Sequence, residues 1–164
     1  MDHFQAQEIF LEIQARPYNI SVYPEGSSNN FFDKGIELLQ RLAILGYTVR
    51  GRVAETTWKT KPIPENISDL LPDDILTTHF YTEIFLDNKW RIIDPSFQPS
   101  LEKYGLTIGS WENGKSCFPL TKIYSQEESI AYQKQWFDKE YQKDFFERGG
   151  ACWFALNKWF SDIA

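Results

Sequence analysis

The chain predicts an α+β domain: a buried central helix packed on a small antiparallel sheet, with extra helices toward the C-terminal end. Three stretches carry that expectation. Residues Phe31 to Leu45 read as a helix that is apolar on most sides and is closed by Gly46. The run "YTVRGRVAE", from Tyr47, alternates and holds β-branched residues, as a strand does. "THFYTEIFL" and "KWRIIDP" are two further strand-like runs, joined by Asp87-Asn88 as a two-residue hairpin turn. Helix, strand and hairpin followed by helices is an α+β order.

Taken in sequence, residues Asp2 to Arg16 place Phe4, Ile9, Leu11 and Ile13 at the spacing of a short amphipathic helix, stopped by Pro17. "YNISVYPEGSSNN" is a turn-rich connector. Asn30 is the N-cap of the central helix, and Asp33 stands at the capping-box position with a carboxylate. Phe32, Ile36, Leu38, Leu39, Leu42, Ile44 and Leu45 supply that helix with its apolar sides. Residues Thr57 to Asp74 hold three prolines and mixed charges, which predicts a long loop. "GLTIGSWENGKSCFPLTKIY" reads as a ragged hairpin. Ser125 to Phe146 reads as one charged, aromatic-rich helix, capped by Ser125 with Glu128 three residues on. "RGG" breaks it, and "ACWFALNKWFSDIA" forms a short apolar helix. Repeats and low-complexity tracts are absent, so residues 1–164 are expected to form a single domain.

Composition narrows the function classes. The chain of 164 residues is 42% hydrophobic and 16% aromatic, ample for a core and suggestive of an aromatic groove. A formal net charge of −6 without clustered Lys and Arg argues against nucleic acid as a partner. Charges run through the first residues, where a secretory peptide would need an apolar core, and no stretch is long enough for a membrane span. Two cysteines are too few for a disulfide framework, which points to the cytoplasm. Neither of the two histidines stands at ligand spacing from another His or Cys, so no metal and no cofactor is expected. The partners expected are a small molecule, a peptide or a protein held in a cleft.

One constellation carries chemistry. His79 opens a strand, and alternation puts Tyr81 and Glu83 on its face. A tight turn at Asp87-Asn88 then returns Asp94 to the same end of the hairpin. An Asp beside a His fixes the tautomer and favours the imidazolium, as acid–base work requires. By spacing alone, a lone His and a strand-end Asp are equally ordinary surface residues.

The surroundings make the pair more specific. "HFYTEIFLDNKWRIIDPSF" resembles the His-aromatic-Glu strand, turn, Trp strand and Asp-Pro ending of the transglutaminase-like superfamily. "FFDKGIELLQRLAILGYTVRGRV" resembles the same family's central helix and its Leu-Gly-x-x-x-Arg turn into a strand. The order and separation of the two segments, between Asn30 and Ser96, agree with the family. The resemblance implies a papain-like architecture and a Cys-His-Asp triad acting on amide or peptide carbonyls. Under it the family's His falls on His79, its Asp on Asp94, and its companions on Tyr81, Glu83, Trp90 and Arg50. The nucleophile falls on Phe31. A helix N-terminus stabilises a thiolate, but phenylalanine offers neither nucleophile nor acceptor.

Replacement nucleophiles are poorly placed. Ser27 and Ser28 precede the helix by a turn and need a base within reach. Cys152, in "RGGACW", resembles the nucleophile motif of arylamine N-acetyltransferases, yet its glycines have a plain use in separating two helices, and a small buried core residue is the expected role. Cys117 has no stronger case. The leading expectation is a divergent, non-catalytic protein that uses the degenerate cleft for binding or assembly, with Asn30, Phe31, Tyr81, Glu83 and Trp90 lining it. The alternative is a cysteine-independent enzyme in which His79 and Asp94 form an acid–base dyad for hydrolysis, proton transfer, elimination or cyclisation.

Overall fold

The structure is a computed structural model that describes residues 3–20 and 29–164. In chain order the elements are α1 (Phe4–Gln14), α2 (Phe31–Ile44), β1 (Val49–Glu55), α3 (Glu65–Ser68), β2 (Thr78–Leu86), β3 (Lys89–Ile93), β4 (Lys122–Ile123), α4 (Gln126–Trp136), α5 (Lys139–Arg148) and α6 (Gly150–Ile163). A 3-10 helix covers Pro99–Tyr104. The strands make one curled antiparallel sheet in the order β3-β2-β1-β4. The class is mixed α and β, with helices against an antiparallel sheet.

Local chemistry sets the two elements that matter most. Asn30 starts α2 by accepting from the backbone N–H groups of Phe32 at 2.8 Å and Asp33 at 3.0 Å, which satisfies two orphan donors of the first turn. Asp87 and Asn88 take positive φ values of 51° and 62°, the conformation of a type I′ turn. That turn fixes the register Leu86↔Lys89, Phe85↔Trp90 and Glu83↔Ile92.

Alternation along β2 sends Phe80, Thr82 and Ile84 toward α2. The Thr82 hydroxyl donates to the Gly35 carbonyl at 2.9 Å, and the Phe80 and Phe32 rings meet edge-on at 5.2 Å. A Cβ on Gly35 would lie 2.7 Å from the Phe80 ring, so the bare glycine is what lets helix and strand approach. On its other side α2 receives α1 through Ala6, Phe10, Ile13, Leu38 and Leu42. Outside that contact, Arg16 and Arg41 each pair with both Glu12 and Glu37, at 2.5–3.3 Å, in a closed ring of four charges.

Four expectations change. Ile44 is 84% exposed, so α2 buries one broad stripe and not most of its circumference. The expected loop over 57–74 contains α3. The ragged hairpin does not form: only Lys122–Ile123 is extended, and it pairs with β1 at Ala54↔Ile123 and Glu55↔Lys122. The single helix over 125–146 is two helices, because the Asp138 carboxylate accepts from the Tyr141 N–H at 2.9 Å and caps a new start. The capping box of Ser125 and Glu128 is present in both halves. Among the described residues, no helix is long and apolar enough to cross a membrane.

Candidate functional site

The hairpin and the α2 N-terminus meet where the sequence places them. His79 Nε2 lies 2.7 Å from Asp94 Oδ2, and the two side chains are 0% and 1% exposed. Asp94 collects further donors. Its Oδ1 accepts from the Ser96 N–H at 3.1 Å and the Ser96 hydroxyl at 2.5 Å. Its Oδ2 accepts from the Cys117 N–H at 2.7 Å and the Ser116 hydroxyl at 3.2 Å. Burial alone would raise this carboxyl, but the His79 charge and hydrogen bond, with Ser96 and Cys117, outweigh it and hold the group at about 2.

The ionised carboxylate only accepts, so the proton of a neutral His79 resides on Nε2 and Nδ1 is a bare acceptor. That Nδ1 is buried without a hydrogen-bond partner among the described residues. Aromatic rings surround the imidazole. Phe31 stands at 5.1 Å and 72°, Phe118 at 4.5 Å, and Tyr81 stacks at 6.0 Å and 24°. Phe31 also meets Trp136 edge-on at 6.5 Å. The recess beside Phe31, walled by Asn30, Trp58, Thr77, Thr78, Trp136, Phe145, Phe146 and Trp153, has about 20 Å³ of room, enough for one water molecule.

Not every expected cleft residue comes to this recess. Asn30 and Phe31 line it, and Tyr81 backs onto the imidazole. Glu83 lies four residues along β2, about 13 Å away at the strand rise, where it binds Arg50 Nε at 2.6 Å and faces Arg52 at 3.8 Å. Trp90 carries the Arg50 guanidinium at 3.9 Å over its ring. These two residues form a separate charged platform on the sheet.

Neither cysteine is activated. Burial pushes the Cys152 thiol up to about 11, and burial with the Asp94 charge pushes Cys117 well up. The Cys117 S–H points to the Asp94 carbonyl at 3.6 Å and its sulfur accepts from the Gly109 N–H at 3.3 Å. Ser27 and Ser28 lie outside the described residues. Among the described residues no three His, Cys, Asp or Glu side chains converge as a metal ion requires.

Several neighbours were invisible to pattern reading. Tyr18 is 2% exposed, and its hydroxyl has no hydrogen-bond partner among the described residues. Lys34, 1% exposed, extends its ammonium to the carbonyls of Arg16 at 2.6 Å, Ser96 at 3.0 Å, Gln14 at 3.4 Å and Pro95 at 3.5 Å. Only Ser96 left a signal: Asp-Pro-Ser is a sequence in which the Asp side chain readily accepts from the N–H two residues on.

The depressed Asp94 carboxyl has a measurable consequence. Its stabilising share is complete above its ordinary value of 3.8 and is lost as pH falls through about 2. Acid titration of folding stability should therefore show a loss of about 2 kcal/mol between pH 4 and 2 that is missing from Asp94→Asn. Equal acid profiles for the two proteins would contradict the assignment.

No family model, no curated protein and no solved structure matches this chain.

Proposed function

We propose that this is a transglutaminase-like protein of papain-like architecture that lacks the family cysteine and acts by non-catalytic binding or assembly. In this reading His79 and Asp94 brace the fold. The observation that carries it is the seating of Phe31: its ring stands against His79 at 5.1 Å, both members of the dyad are at most 1% exposed, and the recess on the outer side of Phe31 has room for about one water. A general base must come within hydrogen-bond reach of a substrate proton, and no substrate atom reaches this imidazole. The capped α2, the neighbouring His79 and the five donors on Asp94 support the architectural part. The absence of a thiolate-forming cysteine supports the non-catalytic part.

With two histidines in the chain, chemical labelling tests the reading. Diethyl pyrocarbonate acylates accessible imidazole nitrogen. Peptide mapping of the native protein should find His3 modified, since its ring is partly exposed, and His79 untouched until the protein is denatured. Labelling of His79 in the native state at a rate comparable with His3 would overturn the closed site. One observation favours the second reading, a cysteine-free acid–base enzyme: Nδ1 of His79 has no hydrogen-bond partner among the described residues while Asp94 holds Nε2. Native-state labelling of His79 is the result that reading requires.

A further inference from the structure

The recess at Phe31 is nearly full, but the opposite flank of the dyad is not. Phe118, whose ring lies 4.5 Å from His79, is also a wall of a cavity of about 200 Å³. Pro119 gives it an exposed apolar edge above the buried Ile63 and Leu106, and Lys61, Thr107 and Ser116 supply polar edges. A second cavity of about 280 Å³ shares Thr60, Lys61 and Ile63 and runs on past Glu65 and Asp69. Each alone is smaller than an ordinary ligand site, whereas the two together, neighbours across Thr60, Lys61 and Ile63, fall in the range of ligand pockets, about 300–1,000 Å³.

Charge decides what such a groove takes. Lys59 lies 3.6 Å from Asp69 and 3.7 Å from Asp73, so its ammonium is already balanced. Lys61 is exposed at the junction of the cavities and has no ion pair among the described residues. One cation beside an apolar wall matches one anionic group on an apolar body. The carboxylates of Glu65 and Asp69 at the far end disfavour a second negative charge.

We propose that this groove binds a small amphipathic monocarboxylate, with its apolar body on Pro119 and the accessible edge of Phe118 and its carboxylate on Lys61. We infer further that occupancy is passed to the dyad. The inner wall is the segment Ser116–Phe118, which gives Asp94 two hydrogen bonds, from the Ser116 hydroxyl and the Cys117 N–H, and lays the Phe118 ring on His79. A ligand pressing on that wall displaces donors of Asp94. The proposal rests on the binding reading above and names its ligand class.

The test is an NMR titration with 3-phenylpropanoate, alongside the neutral 3-phenylpropanol and the cationic 3-phenylpropylamine. The carboxylate should give saturable shifts at Thr60–Ile63, at Ser116–Phe118 and in the His79 ring, with a dissociation constant near the millimolar range expected for a probe of this size. The alcohol should bind about threefold to fivefold more weakly, and the amine more weakly still. Lys61→Gln should remove the advantage of the carboxylate over the alcohol, and Thr107→Trp should block all three probes by filling the groove. Absent shifts, or equal affinity for the three probes, would overturn the site. Groove shifts without movement of His79 would overturn the coupling. Carbethoxylation of the unliganded protein keeps the two ideas apart: a protected His79 with no ligand binding sinks this proposal alone, and a labelled His79 with carboxylate binding sinks the non-catalytic reading alone.

Discussion

Asp94→Ala should lower folding stability by about 4 kcal/mol, the largest loss expected from any single side chain in the site. The carboxylate is 1% exposed and accepts from five groups: His79 Nε2, the Ser96 N–H and hydroxyl, the Ser116 hydroxyl and the Cys117 N–H. Removing it strands all of them in an interior where water cannot substitute, and an unmet buried donor loses its full solvation. Asp94→Asn should cost less, because its amide oxygen still accepts while its NH₂ faces donors. Urea denaturation measures both. A brace also predicts strong coupling, so Asp94→Ala should cost much less in a His79→Ala background than in the wild type. Additive losses, or a loss for Asp94→Ala below about 1 kcal/mol, would show that the pair does not brace the fold.

Lys34→Met should cost about 3 kcal/mol. Methionine keeps much of the length of the buried stem, so the loss isolates the polar end, where four carbonyls from two stretches of chain converge on the ammonium. Two of them, on Pro95 and Ser96, follow Asp94 directly, so Lys34 ties the dyad to α2 and to the end of α1. Its pH signature is distinct. Burial brings the Lys34 amine down from 10.5 to about 8, so the unfolded chain holds this proton more tightly and unfolding takes one up between those values. Wild-type stability should therefore rise relative to Lys34→Met as pH climbs through that window. The difference between the two proteins removes the tyrosine and cysteine contributions. A flat difference from pH 7.5 to 10.5 would contradict the assignment.

Much of this site was legible in the sequence, because local rules generated it. Asn30 capping α2, the type I′ turn at Asp87-Asn88 and the period of two along β2 depend on neighbours a few residues away. Together they bring His79, Asp94 and Phe31 to one place. What escaped depends on contacts between distant parts of the chain. Ser116 and Cys117 reach Asp94 from a segment without periodicity, and Lys34 is charged on a helix whose stripe reads as apolar. Tyr18 lies in what reads as a connector. Alternation puts Glu83 on the face of His79, but a face is long, and its distance along the strand puts Glu83 with Arg50, whose guanidinium lies over Trp90. The split at Asp138 was missed because a capping Asp inside a charged run resembles any other solvated residue.

Phe31 bears on where this protein can go next as well as on what it does now. Its ring is shared by His79, Phe118 and Trp136, so it joins the hairpin, the loop around Asp94 and the helical C-terminal layer. A single change to cysteine would supply a thiol at the head of α2 and at once take a partly buried ring away from those three partners, a loss of about 2 kcal/mol. Most domains have only about 5–15 kcal/mol to lose. Exchange at this position is thus bounded by stability, because the ring that shields His79 is also the one that ties three parts of the chain together.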